Sequence, residues 1–252
     1  SKIKWDVILE ALGQAAFSLS IGMGALITYG SYIQKKNNLS GTAFQVTIAD
    51  TLIALLAGVM IFPAVFAFNC EPSGGEGLVF FILPNIFQQM AGGTIFGIIF
   101  FILLSVAALT STISLLEVVT AFFSEETKLT RKKAAVISAI SIFLLGIFCT
   151  LSFSQLSEFK VFGKTIFGCF EYLTANILLP FGALMIVVFL GWGMKKKDVK
   201  DEITNSGTIK ARLFGFVHFI IKFIAPVAIL LVFLNAIGVI DLIINLIQKY
   251  LQ

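Results

Sequence analysis

Residues 94–123 read TIFGIIFFILLSVAALTSTISLLEVVTAFF, with Glu117 as the sole charged side chain. As a helix rising about 1.5 Å per residue, this run more than reaches across about 30 Å of hydrocarbon. Five further segments have the same character: 12–33, 46–68, 134–153, 165–193 and 213–240. In lipid, backbone polar groups must be satisfied internally, so each segment reads as a helix. The apolar runs are continuous rather than alternating, which excludes a transmembrane β-barrel. Of the 252 residues, 58% are hydrophobic and 13% charged, against about 25% charged in a typical soluble domain. The mean hydropathy is +0.99, and 27 phenylalanines stand against one histidine. A soluble globule cannot hide that much apolar surface. The expected class is therefore an all-α integral membrane protein, with 1–252 forming a single transmembrane domain.

The connecting segments set an expected orientation. Lys35 and Lys36 follow the first apolar segment. Lys128, Arg131, Lys132 and Lys133 follow the third, and Lys195, Lys196, Lys197, Lys200, Lys210 and Arg212 follow the fifth. By the positive-inside rule these loops face the cytoplasm of a multi-pass plasma-membrane protein, with both chain ends outside. The loop 69–93, NCEPSGGEGLVFFILPNIFQQMAGG, has acids but no lysine or arginine. Its apolar middle is interrupted by Pro84, which suggests a short extracellular hairpin rather than a span. The tail DLIINLIQKYLQ is amphipathic and is expected on the outer membrane surface. The start, SKIKWDVILEALGQ, lacks an initiating methionine, and the expectation is a chain that begins within a longer protein.

Catalytic chemistry finds little support. Cys70, Cys149 and Cys169 make no CxxC pair, and one histidine, His218, cannot build an imidazole metal site or triad. Asp50 and Glu117 mimic an acid pair, but no nucleophile accompanies them. The protein is read as a non-enzyme with no organic cofactor.

The unusual intramembrane residues carry the functional reading. Phe17-Ser18-Leu19-Ser20-Ile21-Gly22-Met23-Gly24 interleaves serines and glycines in mid-segment. This pattern suits a close-packed small-residue interface. It equally suits an unwound stretch whose carbonyls and half-helix ends bind an ion and a substrate. Asp50 lies in an apolar segment, where a carboxylate costs at least about 2.5 kcal/mol and needs a partner. Thr110, Ser111 and Thr112, with the Ala107 carbonyl one turn earlier, offer hard oxygens that suit sodium or serve helix packing. Glu117 fits an inner gate or a structural pair, and Glu171 an outer gate.

FSLSIGMGALITYGSY, DTLIALLAGVMIFPAVFAF, GLVFFILPNIFQQMAGG, AALTSTISLLEVVTAFF, KLTRKKA and FEYLTANILLPFGAL together resemble the neurotransmitter:sodium symporter family, in its bacterial amino-acid transporter branch. The resemblance implies a six-helix portion, helices 6–11, of a leucine-transporter-type inverted-repeat fold, with 69–93 as extracellular loop 4. Helices 1–5 are not represented and would come from the same or a separate chain. The implied activity is sodium-coupled symport of an amino acid or related amine by alternating access. Helices 1, 2, 6 and 7 would rock against the rest. The alternative is a transport-incompetent fragment, or one half of a split transporter needing a helix 1–5 partner.

Residue by residue, the resemblance makes Phe17 a lid over the substrate. Ser18, Ser20, Met23, Ser111 and Leu115 become substrate-pocket positions. Ser18 and Asp50 match ligands of one sodium site, and Ala107, Thr110 and Ser111 match half of another. Phe17 and Glu171 match the outer gate. Met23 falls where the family often has Phe, and its flexible thioether suits a bulkier apolar substrate. Asp50 stands where many members have Asn, and Ala54 where others have an acid or a chloride-coordinating Ser. Asp50 is thus expected to supply the negative charge that chloride supplies elsewhere.

Overall fold

The computed structural model describes residues 5–34, 37–68, 77–205, 207 and 213–240. Among these, regular structure is helical apart from a single bridge between Val161 and Lys164. Five helices are long and apolar enough to cross a membrane. They are α3 (Leu39–Ala67), α5 (Gly93–Glu126), α6 (Arg131–Leu151), α7 (Ile166–Gly193) and α9 (Phe214–Ala236). The apolar segment at 12–33 is not one helix. It divides into α1 (Trp5–Ser18) and α2 (Ala25–Tyr32) around an irregular stretch. The shorter α4 (Leu78–Gln89) and α8 (Lys196–Ile203) complete the set. Within each membrane-length helix, 0% to 17% of the apolar window is buried by protein. Side chains such as Phe44, Phe81 and Phe143 therefore face outward, as a bilayer or further helices require and water does not.

Prolines shape these helices in a repeated way. Leu78–Ile82, Tyr172–Leu178 and Ile220–Ile224 are widened π stretches, and Pro84, Pro180 and Pro226 follow just behind them. A proline inside a helix lacks an N–H and crowds the carbonyl four residues back. Widening the preceding turn makes room for the ring without ending the helix.

The described residues fall into two compact parts, one of Thr42–Leu115 and one of the residues on either side. In the first, α4 packs on the end of α3, burying Val65, Leu83 and Ile86, with Phe87 and Phe100 alongside. The extracellular hairpin expected at 69–93 is described from 77 onward, and its limb 69–76 lies outside the described residues, as do Lys35, Lys36, Lys210, Arg212, Cys70 and the tail 241–252. Gly92, at φ 73°, and Gly93 make the turn into α5. A Cβ at Gly93 would stand 1.6 Å from the Phe87 carbonyl oxygen, so no other residue fits.

In the second part, α7 and α9 pack together and α1 lies against both. Ser152, buried after α6, donates to the Cys149 carbonyl and accepts from the Phe167 N–H at 3.3 Å, which ties α6 to the start of α7. The irregular stretch 19–24 touches α7 backbone to backbone. A Cβ at Gly22 would lie 2.0 Å from the Leu179 carbonyl oxygen, and one at Gly182 would lie 2.5 Å from the Gly22 carbonyl oxygen. Gly22→Ala and Gly182→Ala should each therefore destabilise the protein by about 1–3 kcal/mol or more of overpacking, read as a lower thermal midpoint in detergent. Gly146→Ala, whose Cβ meets nothing within 4 Å, should leave it unchanged or raised.

Candidate functional site

The broken first segment is the most distinctive chemistry in the fold. α1 ends at Ser18, Ser20 takes a left-handed φ of 53°, Gly24 takes 77°, and α2 begins at Ala25. The bonds that remain across the break are Ser20 N–H to the Phe17 carbonyl (3.0 Å), Ile21 N–H to Ala16 (3.2 Å) and Met23 N–H to Ser20 (3.3 Å). Helical pairing resumes with Thr28 N–H on the Gly24 carbonyl at 3.0 Å. The carbonyls of Leu19, Ile21, Gly22 and Met23 accept no backbone bond from the described residues. Unpaired carbonyls inside a membrane segment are tolerable only where they line a cavity or meet another partner. The C-terminal end of α1 and the N-terminal end of α2 both point into the break, so opposite helix-dipole ends flank it.

The break therefore brings Phe17, Ser18, Ser20 and Met23 onto one short stretch. Phe17, exposed at the end of α1, also lines an apolar cavity of about 670 Å³ between α1, the break, α7 and α9. Leu12, Gly22, Asn176, Leu179 and Val232 share that lining. Glu171 stands at the start of α7, just before its first π stretch, with its side chain exposed and, among the described residues, no ion-pair partner.

In the part comprising 42–115, Ala107, Thr110, Ser111 and Leu115 all lie on α5. Thr110 Oγ1 donates to the Ala107 carbonyl at 2.8 Å, and Ser114 Oγ donates to the Thr110 carbonyl at 3.0 Å. The Thr110 hydroxyl spends its proton on its own helix, so its oxygen presents lone pairs beside the Ala107 carbonyl. Two hard oxygens are thereby held together on one exposed face. Asp50 is half-buried on α3, well inside the helix at about 16 Å from its start. Among the described residues no cluster of His, Cys, Asp and Glu is arranged for a metal ion of that ligand type.

Glu117 resolves into a defined network. Its Oε1 accepts the Tyr32 hydroxyl at 2.6 Å and pairs with Arg131 Nη2, whose guanidinium also lies over the Tyr32 ring at 6.0 Å. The end of α2, the body of α5 and the start of α6 are thus tied at one carboxylate. Sequence reading singled out Glu117 but missed both partners. The missed signal was Arg131 opening the helix just beyond the KLT turn, where it can reach back.

Discontinuous helices with carbonyl-rich breaks recur in transporters built on inverted repeats. The solved structure of MhsT in complex with L-phenylalanine superposes with a TM-score of 0.83 at 45% identity, over 93% of this chain and 54% of that one. This fold is the helix 6–11 portion of a leucine-transporter-type bundle. The sodium-dependent transporter YhdH of Bacillus subtilis is 39% identical over 94% of this chain and 52% of its own length. A sodium-dependent transporter of Haemophilus influenzae is 40% identical over 93% and 51%. The family described as the Sodium:neurotransmitter symporter family matches residues 3–250, and the chain belongs to it. The chain spans about half the length of the curated relatives it matches.

The Tyr32–Glu117–Arg131 tie has a direct test. Tyr32→Phe and Arg131→Gln should each lower the thermal midpoint at low salt, and the double variant should fall short of their sum, because both act on one carboxylate. High salt should shrink the Arg131 effect, since that side chain is largely exposed.

Proposed function

We propose that the whole protein is a sodium-coupled symporter of an apolar amino acid, working by alternating access. The observation that carries this reading is the break at 19–24, with its unpaired carbonyls between two half-helix ends. The N-terminal end of α2 favours a substrate carboxylate, and the carbonyl-rich end of α1 favours a cation. Ser18 and Asp50 serve one sodium ion. Ala107, Thr110 and Ser111 supply half the oxygens of another. Ser20, Met23, Ser111 and Leu115 face the substrate, Phe17 covers it, and Glu171 closes the outer side. Sodium beside the carboxylate makes ion and substrate raise one another's affinity by the same factor. The lysine-rich loops face the cytoplasm of the cell membrane, where Tyr32, Glu117 and Arg131 latch the inner side. The remaining sodium ligands and pocket walls come from helices 1–5, in the same or a separate chain.

An apolar amino acid is favoured by the thioether of Met23, and the similar MhsT structure holds L-phenylalanine. Proteoliposomes carrying the intact protein should accumulate radiolabelled L-phenylalanine under an inward sodium gradient and not under potassium. Equal uptake in both would overturn the sodium coupling. Thr110→Val should weaken apparent sodium affinity by about tenfold or more with little change in folding. Replacing chloride by gluconate should leave uptake intact, because Asp50 carries the local negative charge. Chloride-dependent uptake that disappears in Asp50→Asn would contradict that role.

A further inference from the structure

Lys222 sits inside the last membrane-length helix, at the seam between α9 and α7. Opposite its Cα stands buried Gly191, where an added Cβ would meet Lys222 Cα at 3.1 Å, so the two backbones are nearly touching. The Lys222 ammonium lies 5.9 Å from the centres of both the Trp192 and the Phe223 rings. Two widened π stretches, Phe189–Gly193 and Ile220–Ile224, abut at this point. Pro226 accounts for the second, but no proline follows the first. Such turns are frequent where a helix serves a ligand.

Depth narrows what the ammonium meets. α7 ends one residue past Trp192, and Lys195, Lys196 and Lys197 follow at once. An indole at the end of a span marks the membrane–water boundary. The Lys222 ammonium shares its level and therefore stands at the depth of lipid phosphates. Ring faces satisfy part of its charge, but they accept no ordinary hydrogen bond from its three N–H donors. Among the described residues no carboxylate pairs with it. At that depth a lysine stem lies along apolar surface while its ammonium seeks an anionic or aqueous partner. Trp192 and Phe223 are themselves half exposed, so the seam is open to lipid.

We propose that the α7–α9 seam at Gly191, Trp192 and Lys222 binds the phosphodiester headgroup of an anionic phospholipid from the lysine-rich leaflet. The phosphate accepts from Lys222, Trp192 and Phe223 border the glycerol and upper acyl region, and Lys195–Lys197 add the long-range attraction that selects negative headgroups. The site does not depend on the transport reading, only on the helices crossing a bilayer.

The test uses the intact protein in nanodiscs of equimolar phosphatidylcholine and phosphatidylglycerol, with retained lipid counted by native mass spectrometry. Wild type should retain phosphatidylglycerol preferentially. Lys222→Gln should lower that preference about fivefold, the weight of one basic residue beside an anionic surface, and Lys222→Arg should keep it. Unchanged retention in Lys222→Gln, or no preference in wild type, overturns the proposal. A second measurement needs no variant: phosphatidylglycerol bearing a headgroup photo-crosslinker should label peptides spanning 189–197 and 214–224 of the wild type. Labelling confined to other peptides also overturns it.

Discussion

The second compact part depends on one backbone-to-backbone approach. The irregular stretch at 19–24 can exist inside a membrane only if its surroundings hold the shape that its lost hydrogen bonds no longer enforce. α7 does this by presenting Leu179–Gly182 so closely that neither Gly22 nor Gly182 can carry a side chain. The contact works because α7 is itself altered there. The π stretch at Tyr172–Leu178 and Pro180 reshape the helix where the break rests on it. Two departures from ideal helix thus support each other, and the free carbonyls are a consequence of the pair rather than of the serines and glycines alone.

How much was legible in the sequence follows from this. Apolar run length was enough for the membrane class, because lipid leaves the backbone little choice. Ser18-Leu19-Ser20-Ile21-Gly22-Met23-Gly24 marked the right place but not the outcome, since small residues serve both close packing and unwinding. Which one prevails depends on Gly182, far away in the chain, and no local pattern announces it. The proline-linked π stretches were equally hidden, for Pro84, Pro180 and Pro226 predict a disturbance but not its form. Pro63, inside α3, lacks any such stretch.

Glu117 shows a different limit. Its intramembrane position advertised a partner without naming one, because Tyr32 and Arg131 come from separate segments that only the folded chain brings together. Glu171 is the contrasting acid. It is exposed and has no ion-pair partner among the described residues, so the fold around it leaves its carboxylate open to solvent or to a partner of opposite charge.

The hydroxyls of α5 bear on whether small polar residues there are packing or chemistry. A threonine that merely packs can satisfy its hydroxyl by bonding back to its own helix, and Thr47, Thr51 and Ser105 all do so four residues back. Thr110, Thr112 and Ser124 on α5 do so as well, but three residues back, onto Ala107, Leu109 and Ala121. That geometry keeps each hydroxyl oxygen beside a carbonyl of its own helix. Such back-bonding already satisfies the hydroxyl proton within the helix, so it serves packing. A cation at Thr110 would meet an oxygen that its bond to Ala107 holds in place, at little cost in reorganisation, which is the physical reason to test for sodium there.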